Sequence, residues 1–161
     1  MSWYNDDGLY VRFGTEKTVP ALGGENTTDG QIRTVNIDFE YTDLAATGTE
    51  KIIGEGVVIP SGVFLKSATL EVLEAFAGAT ATLTLGLIDT DRTTAWDADG
   101  IDAAIAVTAI DAIGDTIACD GALVGTVLSN SVGGYVTATE GTAAFTAGKA
   151  RLTLEYFHPA A

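Results

Sequence analysis

Thr34-Val35-Asn36-Ile37-Asp38-Phe39-Glu40-Tyr41 decides the fold, because large apolar residues occupy every second position and polar ones fill the gaps. That alternation is the two-residue repeat of a strand with one face in a core and the other in water. The same pattern, with threonine on the wet side, runs through Thr80-Ala81-Thr82-Leu83-Thr84-Leu85-Gly86-Leu87. It returns in Arg151-Leu152-Thr153-Leu154-Glu155-Tyr156. These three segments anchor the reading.

Weaker strand signals surround them. Leu9-Tyr10-Val11-Arg12-Phe13 reads as an opening strand, and Gly56-Val57-Val58-Ile59-Pro60 as a short one stopped by proline. Ser67-Ala68-Thr69-Leu70-Glu71-Val72 alternates well, but Leu73-Glu74-Ala75-Phe76 slips out of phase, which predicts a β-bulge. Ala122-Leu123-Val124-Gly125-Thr126-Val127-Leu128 and Tyr135-Val136-Thr137-Ala138-Thr139 complete a set of about eight strands. Ala77-Gly78-Ala79 is short enough to predict a hairpin. The region from Ile101 to Ile113 fits a helical turn or a buried strand equally well. Short strands at near-regular spacing predict an all-β fold, a two-layer antiparallel β-sandwich, with a jelly roll as one arrangement and a closed barrel as the runner-up.

At 161 residues, 47% hydrophobic and 19% charged, the chain suits one globular domain with a core of its own. The polar run Gly23-Gly24-Glu25-Asn26-Thr27-Thr28-Asp29-Gly30 marks residues 1–30 as an N-terminal arm with a first strand, ahead of a sandwich body over residues 31–161. A formal net charge of −14 repels phosphate backbones and anionic headgroups, so neither nucleic acid nor a membrane is expected as partner. The start of the sequence has no basic, then apolar, leader pattern, and no apolar span approaches about 20 residues. Synthesis in a cytoplasm and a soluble product are the expectation.

Catalytic chemistry finds no foothold. The single histidine, His158, stands beside Pro159 near the end of the sequence, a poor place to hold and orient a general base. No nucleophile-elbow, zinc-protease or phosphate-loop pattern occurs. Cys119 is the only cysteine and reads as a small buried hydrophobe. No enzyme is expected.

Binding chemistry has two candidate locations. Asp89, Asp91, Asp97, Asp99 and Asp102 alternate through an acidic, glycine-bearing segment, and spaced carboxylates of this kind are what calcium uses. The EF-hand spacing and its closing bidentate Glu are missing, and ordinary turn chemistry accounts for the same residues. No other cofactor is expected. Trp3, Tyr4, Leu9, Tyr10 and Phe13 gather large side chains near the start, where they suit anchoring to another protein or packing on the domain itself. Trp96, within the acidic segment, is the one residue that suits stacking on a sugar ring.

Three stretches resemble small virion proteins of tailed bacteriophages, in particular β-sandwich capsid decoration (cement) proteins. They are the opening residues 3–17 (WYNDDGLYVRFGTEK), the "apolar-Pro-x-Gly" turn Ile59-Pro60-Ser61-Gly62 with the Thr-rich strands that follow it, and the closing residues 146–156 (TAGKARLTLEY). The resemblance covers about half the chain and departs most over residues 89–120. It implies a non-enzymatic structural role on the outer capsid surface, as a homo-oligomeric trimer or dimer bound to the major capsid protein and cementing neighbouring subunits. The alternative in the same setting is a carbohydrate- or receptor-binding sandwich module of a phage tail or fibre.

Overall fold

The computed structural model describes residues 2–4, 10–12, 32–129 and 132–159. Among the described residues, eleven strands form three antiparallel sheets. β1 (Ser2–Tyr4) and β2 (Tyr10–Arg12) pair only with each other. The body has a four-stranded sheet in the order β4-β10-β6-β7, built from β4 (Lys51–Ile52), β6 (Thr82–Asp89), β7 (Ala95–Ala106) and β10 (Gly134–Gly141). Its partner sheet runs β3-β11-β5-β8, from β3 (Arg33–Glu40), β5 (Phe64–Ala77), β8 (Thr116–Ala118) and β11 (Ala147–Phe157), with β9 (Thr126–Val127) also on β5. The two layers make an all-β sandwich, as the alternation predicts. No α-helix occurs among the described residues.

The apolar alternation explains which face turns inward. On β11, Ala150, Leu152, Leu154 and Tyr156 are buried, with Arg151, Thr153 and Glu155 between them facing out. Leu152 stands between Ile37 of β3 and Leu70 of β5. The four-stranded sheet turns Leu83, Leu85, Leu87, Val136 and Ala138 into the same core. Fully burying such a side chain stabilises the fold by roughly 1.5–3 kcal/mol. Buried polar groups find partners: the Thr137 hydroxyl donates to Glu50 Oε1 at 2.6 Å, and the Phe145 amide donates to Glu140 Oε2 at 3.0 Å.

Several expectations shift. The predicted bulge after Val72 is present: Ala150 pairs with Val72 and Lys149 with Glu74, so Leu73 is the extra residue. A second irregularity between Glu74 and Ala77 follows it, and together they return Phe76 to the buried side with Val72. Ala77-Gly78-Ala79 is not a hairpin turn, because β5 and β6 lie in different sheets and the connection crosses between layers. Residues 56–60 hold only an isolated bridge from Ile59 to Gly134, since Pro60 and the Ser61-Gly62 turn lead the chain across to β5. Residues 122–125 form a turn, and strand pairing there is confined to Thr126–Val127. The ambiguous stretch from Ile101 starts as strand and ends in a short 3₁₀ turn, Val107–Ala109.

The largest departure is β7. Against β6 it pairs Ile105 with Leu83, Asp102 with Leu85 and Asp97 with Leu87, so residues 98–101 arch out of the ladder. Gly86 makes the arch possible, since a Cβ there would lie 2.3 Å from the Ala98 carbonyl oxygen. The far side of the arch is held by the Gly121 amide donating to Ile101 O at 2.9 Å and the Leu123 amide to Gly100 O at 2.8 Å. Gly86→Ala should therefore destabilise the protein by roughly 1–3 kcal/mol or more, the usual effect of overfilling a packed site. Gly56→Ala, where nothing lies within 4 Å, should leave thermal unfolding nearly unchanged. Paired thermal melts of the two variants check this.

Candidate interaction surface

One end of the sandwich collects exposed and half-buried apolar groups. Phe157 of β11 pairs with Phe64 of β5, which pairs in turn with Val127 of β9. The Phe64 and Phe157 rings lie 5.2 Å apart between centroids. Their neighbours Leu65 and Tyr156 are buried, so Phe64 and Phe157 fall on the outer face, as strand alternation requires. Arg33 pairs with Tyr156, which brings Ile32, the residue just before β3, beside Phe157 and extends the row to four residues. Val58 and Val132 flank the Ile59–Gly134 bridge at this same end. Exposure is 51% for Ile32, 47% for Val127, 42% for Val58 and 53% for Val132. Among the described residues, only Tyr41 and Ile113 are other large apolar side chains so exposed.

Charged pairs mark the surface beyond the row. On the outer face of the same sheet, Arg151 grips Asp38 through two hydrogen bonds of 2.7 and 2.9 Å, which hold the Asp38 carboxyl below its usual range. Lys66 and Ser67 both donate to Glu155, at 2.9 and 3.1 Å, and lower its pKa. Arg92 reaches Glu55 at 3.1 Å and lies 5.0 Å from the centre of the Tyr135 ring. These exposed pairs orient side chains more than they stabilise the fold.

The aspartates singled out in the sequence take separate places. Asp89 ends β6. Asp91 closes the following turn, accepting hydrogen bonds from the Thr93 and Thr94 amides at 2.8 Å each and from the Thr94 hydroxyl at 2.7 Å. Those donors hold its carboxyl down to about 2. Asp97, Asp99 and Asp102 belong to β7, not to a loop. Asp97 is raised by partial burial and by a hydrogen bond with Asp99. Asp102 is buried beside Cys119, and burial together with the charge of Asp120 pushes its carboxyl up. Burial and Asp102 push the Cys119 thiol up to about 12, which keeps it protonated and unreactive. Among the described residues, no three His, Cys, Asp or Glu side chains gather as metal ligands.

The other candidates divide. Trp96 is partly buried against the core, with its ring close to Gly134. His158 is exposed just beyond β11. Trp3, Tyr4 and Tyr10 lie in the β1–β2 pair, where Trp3 stands opposite Val11 and Tyr4 opposite Tyr10. Leu9 and Phe13 lie outside the described residues. The row Ile32–Phe157–Phe64–Val127 went unnoticed in the sequence because its members come from four distant segments. The one signal available was an apolar residue at the wet phase of a strand, as in Phe157 after Tyr156.

No protein-family model and no curated protein matches this chain. Solved structures share its fold. A chain of the cyanophage Pam1 capsid asymmetric unit superposes with a TM-score of 0.59 at 18% identity, over 91% of this chain and 98% of that one. A chain of the Ralstonia phage GP4 capsid gives 0.54 at 18% identity, over 91% and 93%. A chain of the acid-stable capsid of Helicobacter pylori bacteriophage KHP30 gives 0.52 at 17%, over 81% and 94%.

The buried Asp102 has a consequence for pH dependence. A carboxyl with a higher pKa folded than unfolded favours the folded state below its unfolded pKa, and that contribution is lost as pH rises through the folded pKa. Asp38, Asp91 and Glu155, with lowered pKa values, act in the opposite sense and weaken the fold on acidification. Asp102→Asn should therefore raise Tm near neutral pH, and its advantage over the parent chain should shrink toward about pH 4, near the ordinary carboxylate range. Melting curves of the two proteins across pH measure that difference directly.

Proposed function

We propose that this chain is a non-enzymatic virion protein that decorates the outside of a phage capsid and cements neighbouring shell subunits. The observation that carries the reading is the near end-to-end match with chains of three phage capsid structures. Each is covered over 93% or more of its own length, so the likeness runs through nearly all of those chains. The sequence resemblance to decoration proteins points the same way on separate grounds.

The physical properties suit that work. A clamp that engages several subunits at once gains avidity from weak individual contacts. The apolar end of the sandwich and the large side chains of the arm, Trp3, Tyr4, Leu9, Tyr10 and Phe13, supply anchoring area. The surplus of 22 acidic over 8 basic residues keeps decorated particles from adhering to one another. The major capsid protein is the partner in this reading, and a symmetric homo-oligomer is the working unit.

Shells from the cognate phage assembled without this chain provide the test. The purified full-length protein should co-sediment with them at a fixed ratio to shell subunits and raise the temperature at which they rupture. Absence of binding to mature shells, combined with binding to a glycan array, would replace this reading with the receptor-binding one.

A further inference from the structure

We propose that the turn over residues 111–115, with Ile113 at its apex, is a separate docking point that plugs into an apolar socket with a lysine- and arginine-bearing rim on a shell subunit. Ile113 is 75% exposed, more than any other large apolar side chain among the described residues. A single exposed apolar residue is ordinary in itself. This one differs in how firmly it is held out. The Ala112 amide donates to Asp115 Oδ2 at 2.9 Å, and the Asp115 amide donates to the Ala112 carbonyl at 3.2 Å. Gly114, at φ +89°, supplies the left-handed residue that the turn needs. The turn is then fastened to β5: the Gly114 amide donates to Val72 O and the Val72 amide to Asp115 O, both at 2.9 Å. On its other side the Phe76 amide donates to Ile110 O at 3.0 Å. An anchor on so fixed a backbone gives up little freedom when it docks.

Charge chooses the partner. Asp111 and Asp115 flank the apex, exposed and half-buried respectively. Glu71, exposed on β5, pairs with Thr116 just past the turn, and Glu74 is exposed between Val72 and Phe76, the two β5 residues that hold it. The cations nearest in register are Lys149, opposite Glu74, and Arg151, opposite Glu71 and already gripped by Asp38. Four carboxylates around one apolar side chain favour a basic rim and disfavour another copy of this acidic chain. The turn is also remote from the apolar end of the sandwich. Val72 lies eight residues beyond Phe64 on β5, roughly 25 Å along the strand. Two contact points so far apart let one chain touch two shell subunits at once, which is what cementing requires. The inference rests on the decoration reading and deepens it by naming a contact and the chemistry opposite it.

Binding of the full-length protein to cognate shells assembled without it provides the test. Ile113→Ser should leave Tm unchanged, because the side chain is exposed, yet weaken binding roughly 10- to 100-fold. Ile113→Leu should keep most of the affinity. Parent binding should weaken with added salt, and the triple variant Asp111→Asn, Glu71→Gln, Glu74→Gln should bind less tightly with a flatter salt dependence. A second measurement is independent of stability. Ile113→Cys carrying a benzophenone maleimide, to which buried Cys119 is silent, is bound to shells and illuminated. Cross-linking to a capsid-protein peptide that contains lysine or arginine is expected, and it decides the matter should Ile113→Ser also lower Tm. Undiminished binding by Ile113→Ser, a salt dependence identical in parent and triple variant, or cross-links confined to copies of this chain would each overturn the proposal while leaving the decoration reading in place. A parent chain that ignores shells would remove both.

Discussion

Strand β11 holds the structure together. It lies between β3 and β5 and is hydrogen-bonded to both along nearly its whole length, from Lys149 to Tyr156. Every other residue on it enters the core, so one ribbon joins two flanking strands and supplies a row of the interior at once. Its partners are far away in the chain: Arg151 meets Asp38 on one side and Glu71 on the other. Folding is therefore dominated by long-range pairing, which is slow because loop closure precedes any compensating contact. Without β11 the five-stranded sheet would fall into separate pieces, and the opposite layer would have little to cover it.

A second constraint is the closeness of backbone to backbone at the β7 arch. Gly86 below it and Gly121 above it leave no room for a side chain, and the arch buries Ile101 where the ladder is interrupted. This rearrangement carries Asp102 inward toward Cys119 while Asp97 and Asp99 stay nearer the surface. Within the acidic segment Asp91 closes a turn, Asp97 at the foot of the arch meets Asp99 on it, and Asp102 is buried.

How far the sequence foretold this depended on how local each signal was. β3, β6 and β11 were legible because alternation is written within a single segment, as in Val35, Ile37 and Phe39. β7 was not, because its alternation is broken by the arch, and Asp99-Gly100 there mimics a turn. β4 and β8 were missed because they are two and three residues long, too short for a period to register. The hairpin expected at Ala77-Gly78-Ala79 failed for a different reason: a short link joins neighbouring strands equally well within a layer or across two. The apolar end row was invisible for the same kind of reason, since its four members meet only through register.

The outer borders of the two layers differ in a telling way. Three of them are fragmentary: β4 has two residues, β8 and β9 share one border in short pieces, and β7 is interrupted by its arch. Unbroken rows of unpaired amides and carbonyls invite sheets of different molecules to zip together, and fragmentary rows do not. The continuous border, β3, carries Asp38 and Glu40 on its wet side. Copies crowded shoulder to shoulder on a common support would thus have almost no place from which to start a fibre.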